Sequence, residues 1–321
     1  NVSLETATAS YAAAAAGIDT GLDTINELLA VLGLTGDGTI LNLTGSGFDD
    51  KLRGDGASNA LDGSAGNDTV EAGAGDDTIE GGSGDNWLFG GDGSDTIIGG
   101  GDCDWIEGGA GADVIVGGGY HGHVLYWSSS EGVTVDLSTG INSGGDAEGD
   151  RLEGISAVDG SAYGDRLTGD TAANWLIGLA GNDTLTGLAG ADRIDGGEGR
   201  DVLTGGLGAD LLIGGAGRDV FDFNSLGESR FSSSSIDRIA DFQRGLDRID
   251  LSTLDANTRL AGNQSFKWIG GQSFHRKAGE LHTKSTKYGL LVEGDVNGDG
   301  RADFQIAIDK LKSLAGADFI L

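Results

Sequence analysis

From Gly45 onward an apolar residue returns at every ninth position, a beat that neither an α-helix nor a coiled coil can keep. Set out in nines, the chain has one frame of nine units starting at 45, 54, 63, 72, 81, 90, 99, 108 and 117. A second frame of seven units runs from Gly160 to Asp222. Position eight reads Leu52, Leu61, Val70, Ile79, Leu88, Ile97, Ile106, Ile115 and Val124, then Leu167, Leu176, Leu185, Ile194, Leu203, Leu212 and Phe221. All are apolar. Position six reads Asp50, Asn59, Asp68, Asp77, Asn86, Asp95, Asp104, Asp113 and Gly122, then Asp165, Asn174, Asp183, Asp192, Asp201, Asp210 and Asp219. Only Gly122 lacks a side-chain oxygen.

A disordered Gly/Asp linker would explain the composition but not the register. The last three residues of each unit (x-U-x) suit a short strand whose central side chain points inward, by the alternation of side chains along a strand. The first six suit a turn in which glycine permits positive φ and close backbone approach. Stacking such turns sets carboxylates and carbonyls in rows, and oxygen ligands of that kind favour calcium. Acidic residues number 51 against 20 basic ones, a formal net charge of −31. That balance excludes nucleic acid as a partner, because phosphate needs the opposite charge, and no apolar run is long enough for membrane insertion.

The units match G-G-x-G-x-D-x-U-x, and over residues 45 to 222 the chain resembles RTX (hemolysin-type) calcium-binding proteins. The resemblance implies an all-β fold, a right-handed parallel β-roll in two stacked blocks with two nonapeptides per coil and a C-terminal β-rich cap. It implies calcium ligation by the fifteen Asp and Asn residues of position six. Neighbouring loops on the same side number six in the first array and five in the second, so roughly eleven or more Ca2+ ions are expected. Folding should then depend on the metal.

The expected organisation is a partial spacer with a short helical insert (1–44), a first roll block (45–125), an inter-block spacer (126–159), a second block (160–222) and a cap (223–321). Leu22, Ile25, Leu28, Leu29 and Leu32 keep helical spacing. The chain contains no methionine, and "VSLETATAS" from Val2 parallels "VDLSTGINS" from Val135. It thus reads as beginning inside a spacer, preceded by more roll or another domain. Half of one further unit stands at Asp150 and Leu152.

Segments 236–256 and 292–308 resemble the C-terminal part of serralysin-type metalloproteases, which carries an uncleaved type I secretion signal; "GADFIL" closes the chain in the same manner. The resemblance implies a secreted, extracellular or cell-surface protein that meets a type I exporter on its way out. Within "DVNGDGRAD", Asp295, Asn297, Asp299 and Asp303 fit either a calcium loop or a plain hairpin turn; Ile306 stands where an EF-hand has Glu.

No H-E-x-x-H, G-x-S-x-G or phosphate-binding loop occurs, so no catalytic residue is assigned. His121 and His123 lie in a degenerate unit, and Cys103 in a turn. Three functions fit: a calcium-folded region of a larger bacterial exported protein, a structural or adhesive surface protein, and the non-catalytic part of a secreted hydrolase. Trp87 and Trp105 fall one coil apart on an outward position beside Phe89 and Leu125. Packing beneath the spacer and a platform for a polysaccharide or a neighbouring chain both account for them.

Overall fold

The computed structural model describes residues 42–119, 121–229 and 236–321. The helical spacing of Leu22 to Leu32 lies outside them. The described residues are β-strands and turns, with helix confined to two 3₁₀ turns, Gly145–Ala147 and Gly316–Asp318. The described residues divide by their contacts into two compact units, one within 42–133 and 140–159, the other within 134–139 and 160–321.

In the first unit the strand triplets pair in parallel with the triplets eighteen residues away, two units on. One sheet runs Asn42–Thr44, Ala60–Asp62, Thr78–Gly82, Thr96–Gly100, Val114–Val116 and Arg151–Glu153. Its register stacks Leu61 on Ile79, Ile79 on Ile97 and Ile97 on Ile115. The facing sheet stacks Leu52, Val70, Leu88, Ile106 and Val124 in the same way. Leu152, from the half unit, closes on Ile115, so residues 126–150 leave the sheets of this unit and the chain then returns to them.

The second unit repeats the plan. Thr134–Asp136, Arg166–Thr168, Thr184–Gly190, Val202–Gly208 and Val220–Asp222 continue in parallel through Arg248–Asp250 to Phe319–Ile320. On the other side Trp175–Ile177, Arg193–Asp195, Leu211–Ile213, Asp237–Ile239 and Phe304–Asp309 pair in parallel. Pairing then turns antiparallel through Gly289–Asp295 and Glu280–Ser285. This is a parallel β-roll, the fold class expected from the nine-residue beat.

The core is one residue thick. Position-eight side chains from Val70 to Val124 and from Leu167 to Phe221 are fully buried, while their neighbours at seven and nine, Leu125 excepted, stay half-buried or exposed. Leu52 is half-buried. With so little apolar area per coil, each inward residue carries a large share of its coil's stability.

Ile97→Ala should therefore destabilise the calcium-loaded protein by about 2–5 kcal/mol, the range for a buried aliphatic truncation that leaves a cavity. Leu52→Ala should cost clearly less. Denaturant midpoints of both variants in saturating calcium check this; equal costs would mean that the inward row is not the core.

Candidate metal centre

Each coil turns through the first six residues of a unit, and the side chain at position six points back under the turn. Its Oδ1 accepts the backbone N–H of the matching residue one coil earlier. Asp68 takes the N–H of Asp50 at 2.8 Å, Asp95 that of Asp77 at 2.8 Å, and Asp113 that of Asp95 at 2.8 Å. Asp183, Asp192, Asp201, Asp210 and Asp219 repeat the bond, as do Asp77, Asn86 and Asp104. Two sheets thereby carry side-chain ladders parallel to their backbone ladders.

The second oxygen is different. Oδ2 of Asp68, Asp77, Asp95, Asp104, Asp113, Asp183, Asp192, Asp201, Asp210 and Asp219 is buried and has no hydrogen-bond partner. A buried carboxylate oxygen without a donor is costly, since ionised oxygen loses water and gains nothing. Beside nine of the ten lies a space that glycine leaves open; beside Asp77 that position is Ala72. A Cβ placed on Gly63 would come 2.6 Å from Asp68 Oδ2 and 2.5 Å from the Gly81 carbonyl oxygen of the next coil. The donor set is thus carboxylate plus backbone carbonyl, the hard-oxygen chemistry of Ca2+, and the residues fit that ion. Among the described residues no group of three or more His, Cys, Asp or Glu side chains gathers to hold a metal by itself. Carbonyls must supply the rest.

Electrostatics point the same way. Burial, helped by neighbouring carboxylates, pushes Asp95, Asp113, Asp183, Asp192 and Asp219 up to about 7 and Asp68 to about 6. Without a cation these groups resist ionisation.

Not every residue at position six is open. Asp50, Asn59, Asp165 and Asn174 accept the N–H of the residue four before them. Asn86 Nδ2 donates to Asp104 Oδ1 at 2.9 Å and to the Gly84 carbonyl at 3.3 Å. The ladder also takes in residues outside the sixteen units, at separations other than eighteen. Asp150 accepts the N–H of Asp113 at 2.9 Å, Asp237 that of Asp210 at 3.0 Å, and Asp247 that of Asp219 at 3.2 Å. Their separations of 37, 27 and 28 residues break the period. The local signal was present nonetheless: Asp237-Arg238-Ile239 and Asp247-Arg248-Ile249 repeat Asp192-Arg193-Ile194. Asp237 Oδ2 is another partnerless oxygen, and burial raises this carboxyl to about 8.

The loop from Asp295 to Asp303 is drawn together by its own bonds. Asp295 accepts the N–H groups of Gly298 (2.6 Å) and Gly300 (2.8 Å), and Asp303 those of Val296 (2.8 Å) and Asn297 (3.2 Å). Asn297 and Asp299 accept the N–H groups of Asp299 and Arg301.

On the outer face, Trp87 and Trp105 stack with centroids 5.0 Å apart and planes 9° apart, and Trp127 lies 6.0 Å from Trp87. Trp127 Nε1 donates to Asp159 Oδ2 at 3.0 Å, and His123 Nε2 meets Asp159 Oδ1 at 2.7 Å. Leu125, expected to face outward, is fully buried. Its strand pairs with Ile155–Asp159, where the partner strand carries one extra residue, Ser156, between the partners of Gly122 and His123. Cys103 is a half-buried free thiol, its pKa raised by burial and by nearby aspartates.

Family models agree with this geometry. That of the peptidase M10 serralysin C-terminal region matches residues 170–321. That of the RTX calcium-binding nonapeptide repeat matches residues 42–70, 71–104 and 89–119. This chain is a calcium-binding-repeat β-roll. More particularly, it is an RTX protein with a serralysin-like C-terminal region, the calcium-binding part of a secreted protein rather than a catalytic fold. No curated protein matches the chain. Similar solved structures are the AlgE6R3 and AlgE6R2 subunits of the Azotobacter vinelandii mannuronan C5-epimerase. The first is 25% identical over 49% of this chain and 78% of its own (TM-score 0.23); the second is 22% identical over 51% and 91% (TM-score 0.29). TM-scores this low lend neither likeness any weight for the whole fold. Among the described residues no helix is long and apolar enough to cross a membrane.

The raised carboxyls set the pH response of the metal-free chain. An acid whose pKa is higher folded than unfolded binds extra protons on folding, so its contribution is full below about 4 and is lost as pH rises through about 7. In chelator, acidification from pH 8 to pH 5 should raise β content, read by circular dichroism. In calcium the order reverses, since protons compete with the ion: the calcium midpoint should rise as pH falls below 7. A chelated chain with the same spectrum across that range would contradict both.

Proposed function

We propose that the position-six carboxylates of the open turns (Asp68, Asp77, Asp95, Asp104, Asp113, Asp183, Asp192, Asp201, Asp210 and Asp219) ligate Ca2+ with turn carbonyls; Asn86, whose amide is taken up by Asp104 and the Gly84 carbonyl, is left out. On this reading the chain is exported unfolded by a type I system and folds outside the cell. The buried, partnerless Oδ2 row carries the reading: a closed roll with ten such oxygens in its arrays needs cations to be stable at neutral pH. Cytoplasmic calcium is too scarce to load sites of about millimolar affinity, the range of extracellular modules, whereas extracellular calcium suffices. The unloaded chain would stay extended enough to pass an exporter. Bound ions then offset the charge of −31, and binding free energy becomes folding free energy.

The Asp295–Asp303 loop is left out of this ligand set, because the loop's own N–H groups already occupy its carboxylates. The serralysin-like C-terminal region supports a second reading, in which the roll serves as the non-catalytic part of a secreted hydrolase. The mutual stacking of Trp87 and Trp105, with Trp127 tilted over Trp87, favours packing beneath the spacer over a polysaccharide platform, since the ring faces are already in contact.

Calcium added to the chelated protein should convert it cooperatively from a mostly disordered to a β-rich chain, because each ion joins neighbouring coils. Circular dichroism across a calcium titration measures this. A β-rich spectrum that chelator leaves unchanged would defeat the proposal.

A further inference from the structure

The arrays contain two kinds of turn, distinguished by the second residue of the unit. In twelve of the sixteen units that residue has positive φ, as in Gly91 at 110°, Gly197 at 96° and Ser64 at 75°. Even leucine adopts it: Leu179 stands at 69° and Leu188 at 75°, a conformation that costs an L-residue roughly 1 kcal/mol or more. Ten of these twelve units carry Asp at position six, and all ten have the buried, partnerless Oδ2. The four remaining units start at 45, 54, 160 and 169, the first two units of each array. Their second residues, Ser46, Asp55, Ser161 and Asp170, do not have positive φ.

In those four the second residue's N–H points at the side chain of its own position six. Ser46 donates to Asp50 Oδ2 at 2.5 Å, Asp55 to Asn59 Oδ1 at 2.9 Å, Ser161 to Asp165 Oδ2 at 2.6 Å and Asp170 to Asn174 Oδ1 at 2.7 Å. The serine hydroxyls add Ser46 Oγ to Asp50 at 2.9 Å and Ser161 Oγ to Asp165 at 2.8 Å. The accepting oxygen still faces the next coil: a Cβ on Gly45 would meet both Asp50 Oδ2 and the Gly63 carbonyl. A hydrogen-bond donor therefore stands where the open turns leave a carboxylate oxygen bare. Its partial positive charge satisfies the oxygen and repels a cation from the same gap.

We infer that the opening coil of each array is a starter coil closed by its own N–H groups, and that calcium does not enter the four gaps following turns 45, 54, 160 and 169. Calcium loading of the arrays is then confined to gaps between two positive-φ turns of which the first carries Asp at position six, six of the eleven same-side gaps; after turn 81 the Nδ2 of Asn86 faces the Gly99 carbonyl instead. The choice of residues agrees. Two of the four starter positions are Asn, which supplies the one acceptor needed without the charge a metal would demand. The inference rests on the calcium reading of the open turns, and it removes Asp50, Asn59, Asp165 and Asn174 from the ligands implied by the repeat.

The test counts calcium ions on the folded full chain by native mass spectrometry and records the calcium midpoint by circular dichroism, for wild type, Asp165→Asn and Asp201→Asn. Asn at 165 keeps an acceptor for the Ser161 N–H, as Asn174 does naturally for Asp170. Asp165→Asn should retain the wild-type ion count and midpoint; Asp201→Asn should lose at least one ion and raise the midpoint. If Asp201→Asn does not fold, Asp68→Asn replaces it. Loss of an ion or a higher midpoint in Asp165→Asn overturns the starter coil while leaving the calcium reading intact. A wild-type chain that binds no calcium overturns both.

Discussion

The structure depends on how each position-six carboxylate divides its two oxygens. One, Oδ1, is tied to a backbone N–H one coil earlier, which fixes the vertical register of successive turns. The other is left in a buried gap with carbonyl oxygens and no donor. The first bond makes the carboxylate a structural rung, and the second oxygen makes it a metal ligand in waiting. A roll built this way has a stable backbone ladder and an unstable electrostatic interior unless cations enter. On the calcium reading proposed above, metal dependence is a property of the stacking itself.

The thin core sharpens that dependence. One inward Leu, Ile, Val or Phe per nine residues leaves little apolar area to offset the ordering of a glycine-rich chain, whose unfolded state is unusually free. At position one, as at Gly63 or Gly99, a Cβ would strike the carboxylate and the next coil's carbonyl, although the unit at 72 carries Ala72 there; positions such as Gly91 also take positive φ. Glycine thus lowers intrinsic stability while making the cation site possible, and the two effects together produce a chain that waits for metal.

Beyond Asp222 the roll continues by other means. Asp237 and Asp247 extend the carboxylate ladders, while Ile239 and Ile249 extend the inward rows, although the turns between them no longer count nine. The parallel order ends where Phe304–Asp309 meets Gly289–Asp295 in antiparallel pairing, and the hairpin loop there is closed by Asp295 and Asp303. The sheet ends on the two-residue strand Lys267–Trp268, which pairs in parallel with Glu280 and Leu281, and so short an edge strand limits edge-to-edge association.

Much of this was legible in the residue order. The nine-residue beat specified the inward row, the turn positions and the oxygen ladder, because a strand triplet and a tight turn impose that spacing on any chain that coils so. Whether a given Asp would meet a donor or stand open was not legible, for Asp50 and Asp95 occupy the same place in the motif. That was decided by the backbone: a turn whose second residue takes negative φ aims its N–H at the carboxylate, and one with positive φ turns it away. The burial of Leu125, the return of Leu152 to Ile115 and the recruitment of Asp237 and Asp247 were likewise tertiary outcomes. Local periodicity sets which side chains can stack, but only the folded path of the intervening chain brings residues 27 to 37 positions apart to the same rung.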